Sequence, residues 1–91
     1  MNKFEDMQAF IRIVEAGSIT KAAAQLNIAK SALSKRLSTL EYRLGLSLIN
    51  RTTRSLKLTD NGRIYYQQCQ RIIDDVVEME SDLQNKQCAL S

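Results

Sequence analysis

Residues 18–45 read SITKAAAQLNIAKSALSKRLSTLEYRLG, and the order of hydroxyl, small and leucine positions in this stretch decides the fold. Ser18 or Thr20 can cap a helix through its hydroxyl, and Ile19, Ala22, Ala23 and Leu26 supply that helix's buried side. Asn27 tolerates turn geometry, and Leu33, Leu37, Leu40 and Leu44 mark the inner stripe of a following helix that Gly45 terminates. A generic helical hairpin shares this leucine spacing. The alanines at 22, 23 and 24 favour a helix-turn-helix, because small side chains let the two helices approach closely.

Upstream, Phe4, Met7, Ile11 and Val14 recur at helical spacing, with Phe10 and Ile13 widening the stripe and Gly17 placed to cap its end. A first helix is therefore predicted over residues 3–16. Downstream, Leu46 to Asn50 and Leu56 to Thr59 are short apolar segments around Arg51-Thr52-Thr53-Arg54-Ser55, the pattern of a small β-hairpin. Thr59 can cap a last helix that starts near Asp60. Along it Tyr65, Cys69, Ile72, Val76, Met79, Leu83, Lys86 and Leu90 follow alternating steps of four and three, a pairing seam with one polar intruder. A second stripe, Ile64, Ile73 and Val77, is in excess of a two-helix seam and is expected to pack on the N-terminal body. A helix of this length outruns a body this small, so its far half needs another chain and a homodimer is expected.

The predicted architecture is mainly α: a winged helix-turn-helix, three helices plus a small β-hairpin wing, over residues 1–59, then a linker and dimerisation helix over 60–91. Charge divides at the same place. Residues 1–59 carry ten Lys and Arg against four acids, whereas 60–91 carry three against six, within a net charge of +3. Between Lys30 and Lys57 only Glu41 opposes seven bases, a block suited to a polyanion whose counterions are released on binding.

Opposite the leucine stripe, the third helix presents Ser31, Ser34, Lys35 and Ser38, with Lys30 at its start. Lysine can donate to guanine O6 and N7, and serine to a base edge or phosphate, so Lys30, Ser31, Ser34 and Lys35 are the candidate base readers. Arg36 and Ser38 are expected at the backbone. Arg51 and Arg54, with Thr52 and Thr53, would reach phosphates or a minor groove narrowed by A·T-rich sequence. Tyr42, Tyr65 and Tyr66 fall on helices away from the hairpin and are expected in core or interface packing.

Other function classes find little support. The sequence has no histidine, no cysteine pair at metal-ligand spacing and no phosphate-cradling glycine loop, so no enzyme, metal or cofactor is expected. Cys69 and Cys88 are 19 residues apart, roughly 28 Å if on one helix, too far to bridge; reduced thiols and a cytoplasmic location follow. No stretch approaches 18 apolar residues, so no membrane partner is expected.

The ordered strings Glu15-Ala16-Gly17-Ser18-Ile19-Thr20-Lys21-Ala22-Ala23, Ser31-Ala32-Leu33-Ser34-Lys35-Arg36-Leu37, Leu40-Glu41, Leu44-Gly45, Asn50-Arg51-Thr52-Thr53-Arg54 and Leu58-Thr59-Asp60-Asn61-Gly62 closely resemble the N-terminal domain of bacterial LysR-type transcriptional regulators. The resemblance implies a linker helix that pairs antiparallel in a dimer, and binding to an interrupted inverted repeat in double-stranded DNA upstream of regulated genes. It places Ser18 and Thr20 where the second helix meets the DNA backbone, Lys30, Ser31, Ser34 and Lys35 at bases, and Arg51 and Arg54 in the wing. Family members also carry an effector-sensing domain, which these 91 residues do not contain. An alternative role is that of a short regulator that acts by pairing with full-length subunits. One departure is local: the family usually has serine at the position of Ala29, and often glutamine or proline where Lys30 and Ser31 stand. Either Ser31 takes over the helix cap, or the start of the third helix is less ordered before DNA arrives.

Overall fold

The computed structural model describes residues 2–50 and 56–90, with side chains as far as residue 85. Four helices and one hairpin follow in the order α1 (Lys3–Ala16), α2 (Ile19–Leu26), α3 (Lys30–Leu44), β1 (Ile49–Asn50), β2 (Lys57–Leu58) and α4 (Asp60–Leu90). The strands are antiparallel, with Ile49 opposite Leu58 and Asn50 opposite Lys57. This is the expected winged helix-turn-helix with a long terminal helix. The predicted wing residues Arg51, Thr52, Thr53 and Arg54 lie outside the described residues.

The first two helices begin and end for local reasons. Asn2 Oδ1 accepts the Phe4 N–H at 2.8 Å to open α1, and Ser18 Oγ accepts the Lys21 N–H at 3.0 Å to open α2. Of the two hydroxyls predicted for that second cap, Ser18 takes it and Thr20 stays exposed. Asn27 ends α2 at φ 58°, a left-handed conformation that lets its N–H and that of Ile28 close back on the last turn. Only Ile28 and Ala29 then separate this residue from α3, which gives the tight turn its length.

The core is one cluster in which Phe10 and Ile13 of α1, Ala22 and Ala23 of α2, Leu33, Leu37 and Leu40 of α3, Leu48 just before the hairpin and Ile49 in its first strand meet. On α1 the deepest residues are Asp6, Ala9, Phe10 and Ile13, so the buried face centres on Phe10 and Ile13 and the predicted stripe of Phe4, Met7, Ile11 and Val14 flanks it. Leu26 is at the surface instead of inside. Asp6 is buried at this junction; its Oδ2 pairs with Arg43 Nη2 at 3.4 Å, tying α1 to α3.

At 31 residues α4 is about 46 Å long, and the molecule measures 55 × 27 × 23 Å. Its first turns belong to the body. Cys69 is 2% exposed, and the Tyr65 ring meets Phe10 edge-on with centroids 5.2 Å apart. These two residues, predicted for the pairing seam, are therefore used within the chain, because the crossing of α1 over α4 selects the stripe that contains them. Conversely Ile64 and Val77, expected against the body, are exposed, and only Ile73 of that second stripe is half-buried. Among the described residues no helix is long and apolar enough to cross a membrane.

Candidate nucleic-acid interface

Leu33, Leu37 and Leu40 hold one side of α3 in the core, which leaves the other side to solvent. Because successive residues turn by about 100°, Ser31, Lys35, Ser38 and Tyr42 form a line opposite these leucines. All four are exposed. Lys30 is exposed at the helix start, Ser34 lies half-buried on one flank, and Arg36 is half-buried on the other. The structure thus brings the four predicted base readers onto one helix and turns Ser31 and Lys35 most directly outward, with Ser38 one turn farther on.

Tyr42 corrects an expectation. It is 89% exposed and continues the outer line of α3, not the core. The 100° period contains this placement, since residues 31, 35, 38 and 42 share a face; the usual preference of tyrosine for packing obscured it.

Ala29 occupies the N-cap of α3 and makes no side-chain cap hydrogen bond. Ser31 sits inside the first turn and does not replace it, so its hydroxyl remains on the outer face. The first turn is closed only by backbone, with the N–H groups of Ala32 and Leu33 both donating to the Ala29 carbonyl at 3.1 Å. At the other end, Gly45 adopts φ 74° and donates to the Glu41 and Tyr42 carbonyls.

Behind this face the supports are hydrogen bonds and a desolvated cluster. Glu41 Oε2 accepts the Leu48 N–H at 2.7 Å, which attaches the hairpin's entry to α3. In the sequence Glu41 stands as the one acid within the basic block and as part of the Leu40-Glu41 string, and its spacing from Leu48 contains no signal of this bond. Where α4 packs on α1, burial pushes the Tyr65 phenol well above its ordinary range, and the adjacent Cys69 adds to the effect. Burial likewise raises the Cys69 thiol, partly opposed by its hydrogen bond with Tyr65. Both stay protonated and inert at neutral pH, which suits packing and not thiolate chemistry.

A supporting helix, two helices joined by a tight turn, a hairpin, and a basic, hydroxyl-bearing outer face on the second of the pair define a winged helix-turn-helix of the nucleic-acid-reading class. Residues 4–63 match the family model described as bacterial regulatory helix-turn-helix protein, lysR family. The chain belongs to that family. It is 43% identical over 83 residues to an HTH-type transcriptional repressor of Pseudomonas aeruginosa, covering 91% of this chain and 26% of the relative. Similarity to the HTH-type transcriptional activator AaeR of Escherichia coli is equal in identity and length, over 91% of this chain and 27% of AaeR. Among solved structures, the BenM DBD in complex with catB site 1 DNA superposes with a TM-score of 0.86 at 33% identity, covering 92% of this chain and 94% of that one. The chain thus spans about a quarter of the length of the curated relatives it matches.

Proposed function

We propose that this chain is the sequence-specific DNA-binding part of a LysR-type transcription regulator, working without catalysis in the cytoplasm and as a homodimer. The observation that carries the reading is the outer line of α3, where Ser31, Lys35 and Ser38 stand exposed directly opposite the buried Leu33, Leu37 and Leu40. A helix held this way can lie in a major groove, with Lys30, Ser31, Ser34 and Lys35 at base edges and Arg36 and Ser38 at the backbone. Ser18 and Thr20 at the start of α2 would meet phosphates as well. Arg51, Thr52, Thr53 and Arg54 would extend the contact into backbone or minor groove, favouring A·T-rich flanks. Residues 1–59 form the reading head and 60–91 the pairing helix, whose partner copy would place a second head on the other arm of an interrupted inverted repeat. That the BenM DBD was solved with DNA at this level of similarity supports the assignment.

Fluorescence anisotropy of the 91-residue chain tests it, using duplexes with interrupted A·T-rich inverted repeats and scrambled controls at two salt concentrations. Salt-sensitive binding that prefers the repeats is expected. Lys35→Ala should relax that preference at a cost of about 1–3 kcal/mol, while Arg54→Ala should weaken all duplexes alike and flatten the salt slope by about one. Unchanged binding by both variants would remove α3 and the wing as the reading surface.

The exposed Ile72, Met79 and Leu83 on α4 favour a second reading, in which the helix pairs with longer subunits of the same family and redirects them. No DNA binding even at low salt, together with association through α4, would make this the leading function.

A further inference from the structure

Residues 47–49 are gripped from two sides. From α3, Glu41 Oε2 accepts the N–H groups of Leu48 and Ile49 at 2.7 and 3.2 Å, while the Ser47 hydroxyl, 3.5 Å from the same oxygen, lies nearer the Ile49 carbonyl at 3.2 Å. From the start of α4, the Thr59 hydroxyl donates to the Ser47 carbonyl at 2.6 Å, and the Thr59 N–H donates to the Leu48 carbonyl at 3.0 Å. Thr59 Oγ1 in turn accepts the Gly62 N–H at 2.9 Å, so the residue that grips the loop also caps α4. Gly62 permits the approach, because a Cβ there would collide with the Leu48 carbonyl oxygen. Leu48 itself is fully buried. Its peptide groups therefore bond to α3 through the nitrogen and to the entry of α4 through the oxygen, while its side chain is set in the core.

We infer that this relay from Glu41 through Leu48 to Thr59 and Gly62 is a positioning device that fixes the tilt of α4 against the reading helix and so determines the spacer length a dimer accepts between half-sites. The inference rests on the dimeric DNA reading proposed above. The reason is leverage: over a helix of about 46 Å, a tilt of only about 10° moves the far end by about 8 Å, more than two base-pair steps of about 3.4 Å. A carboxylate accepting backbone N–H groups is a strong, directional bond, and its acceptor sits on α3 itself. Glu41 and Thr59 act here through α4 and are positioning residues, not DNA contacts.

The test is a spacer series. Duplexes carrying the preferred repeat, with the spacer changed one base pair at a time, are compared with a duplex carrying a single half-site. The wild-type chain, Glu41→Gln, Thr59→Val and Thr59→Ser are measured on each. Wild type should favour one spacer by about tenfold, whereas Glu41→Gln and Thr59→Val should bind the single half-site within about twofold of wild type while spacer preference shrinks to about threefold. Thr59→Ser, which keeps the hydroxyl, should restore the preference. Folded variants that retain the wild-type spacer profile would overturn the inference, as would equal losses on the single half-site and on every spacer. If Glu41→Gln does not fold, Thr59→Val decides by the same criteria. Absence of wild-type binding to any duplex would instead overturn the DNA reading, and the positioning role with it.

Discussion

Helices α3 and α4 differ in how much apolar surface they leave outside. In α3 every leucine of the predicted stripe turns inward, with Leu44 partly covered and packed on the core, and the outer line is serine, lysine and one tyrosine. In α4 the apolar residues exceed what the body can cover: Ile64, Ile72, Val77, Met79 and Leu83 are all exposed, the last at 61%. The first helix is satisfied by its own chain and is free to present polar groups. The second is satisfied only as far as Cys69 and the half-buried Ile73 and Val76, and five acids from Asp74 to Asp82 share its far half with the exposed Met79 and Leu83.

The contrast can be broken most severely at the point where α4 meets the hairpin. Gly62→Ala forces a methyl group against the Leu48 carbonyl, and thermal or urea unfolding should register a loss of about 3 kcal/mol. Full stability in that variant would mean that α4 is not seated as described. A charge in the far half should do the opposite. Met79→Asp should leave the unfolding of the monomer within about 0.5 kcal/mol of wild type, yet sedimentation should show self-association lost at micromolar concentration. Equal losses of stability and pairing would mean that the far half is folded against its own body after all.

Smaller changes sharpen the same comparison. Since α2 has its Ser18 cap and α3 has only Ala29, Ala29→Ser should raise stability by about 1 kcal/mol in a melting experiment; a neutral result would show that the backbone closure alone suffices. The smallest effect concerns pH. The folded state holds the Cys69 and Tyr65 protons more tightly than the unfolded chain, whose ordinary values are 9.0 and 10.0. Above pH 9 the unfolded state therefore binds fewer protons, and stability is lost as pH rises toward the raised folded values; below pH 9 this contribution is constant. Cys69→Ser should remove the thiol's share of that alkaline decline, and an identical slope in the variant would assign the decline elsewhere.

Much of the fold was legible in local chemistry. Gly17, Asn27 and Gly45 mark the left-handed ends of three helices, Ser18 and Thr59 mark two starts, and the period of Leu33, Leu37 and Leu40 orients the outer face of α3. Such features depend on residues within one or two turns. What escaped depends on the partner surface. The burial of Asp6 requires Arg43, 37 positions away, and the grip of Glu41 on Leu48 requires the hairpin to fold back beside α3. Tyr42 lies outside the core for a different reason, because the helical period that puts residues 31, 35, 38 and 42 on one face outweighs the preference of tyrosine for packing.

The sequence by itself determined the elements, their order, the left-handed ends of the first three helices and the serine and lysine line on α3, since each follows from spacing along a single helix or from one residue's backbone preferences. Only the tertiary structure decided the phase of α4. Apolar residues on several sides of a helix state that more than one surface will be covered, but not which one the chain covers itself. Packing Phe10 against Tyr65 and closing Gly62 onto Leu48 settled that choice, leaving Ile72, Met79 and Leu83 outside.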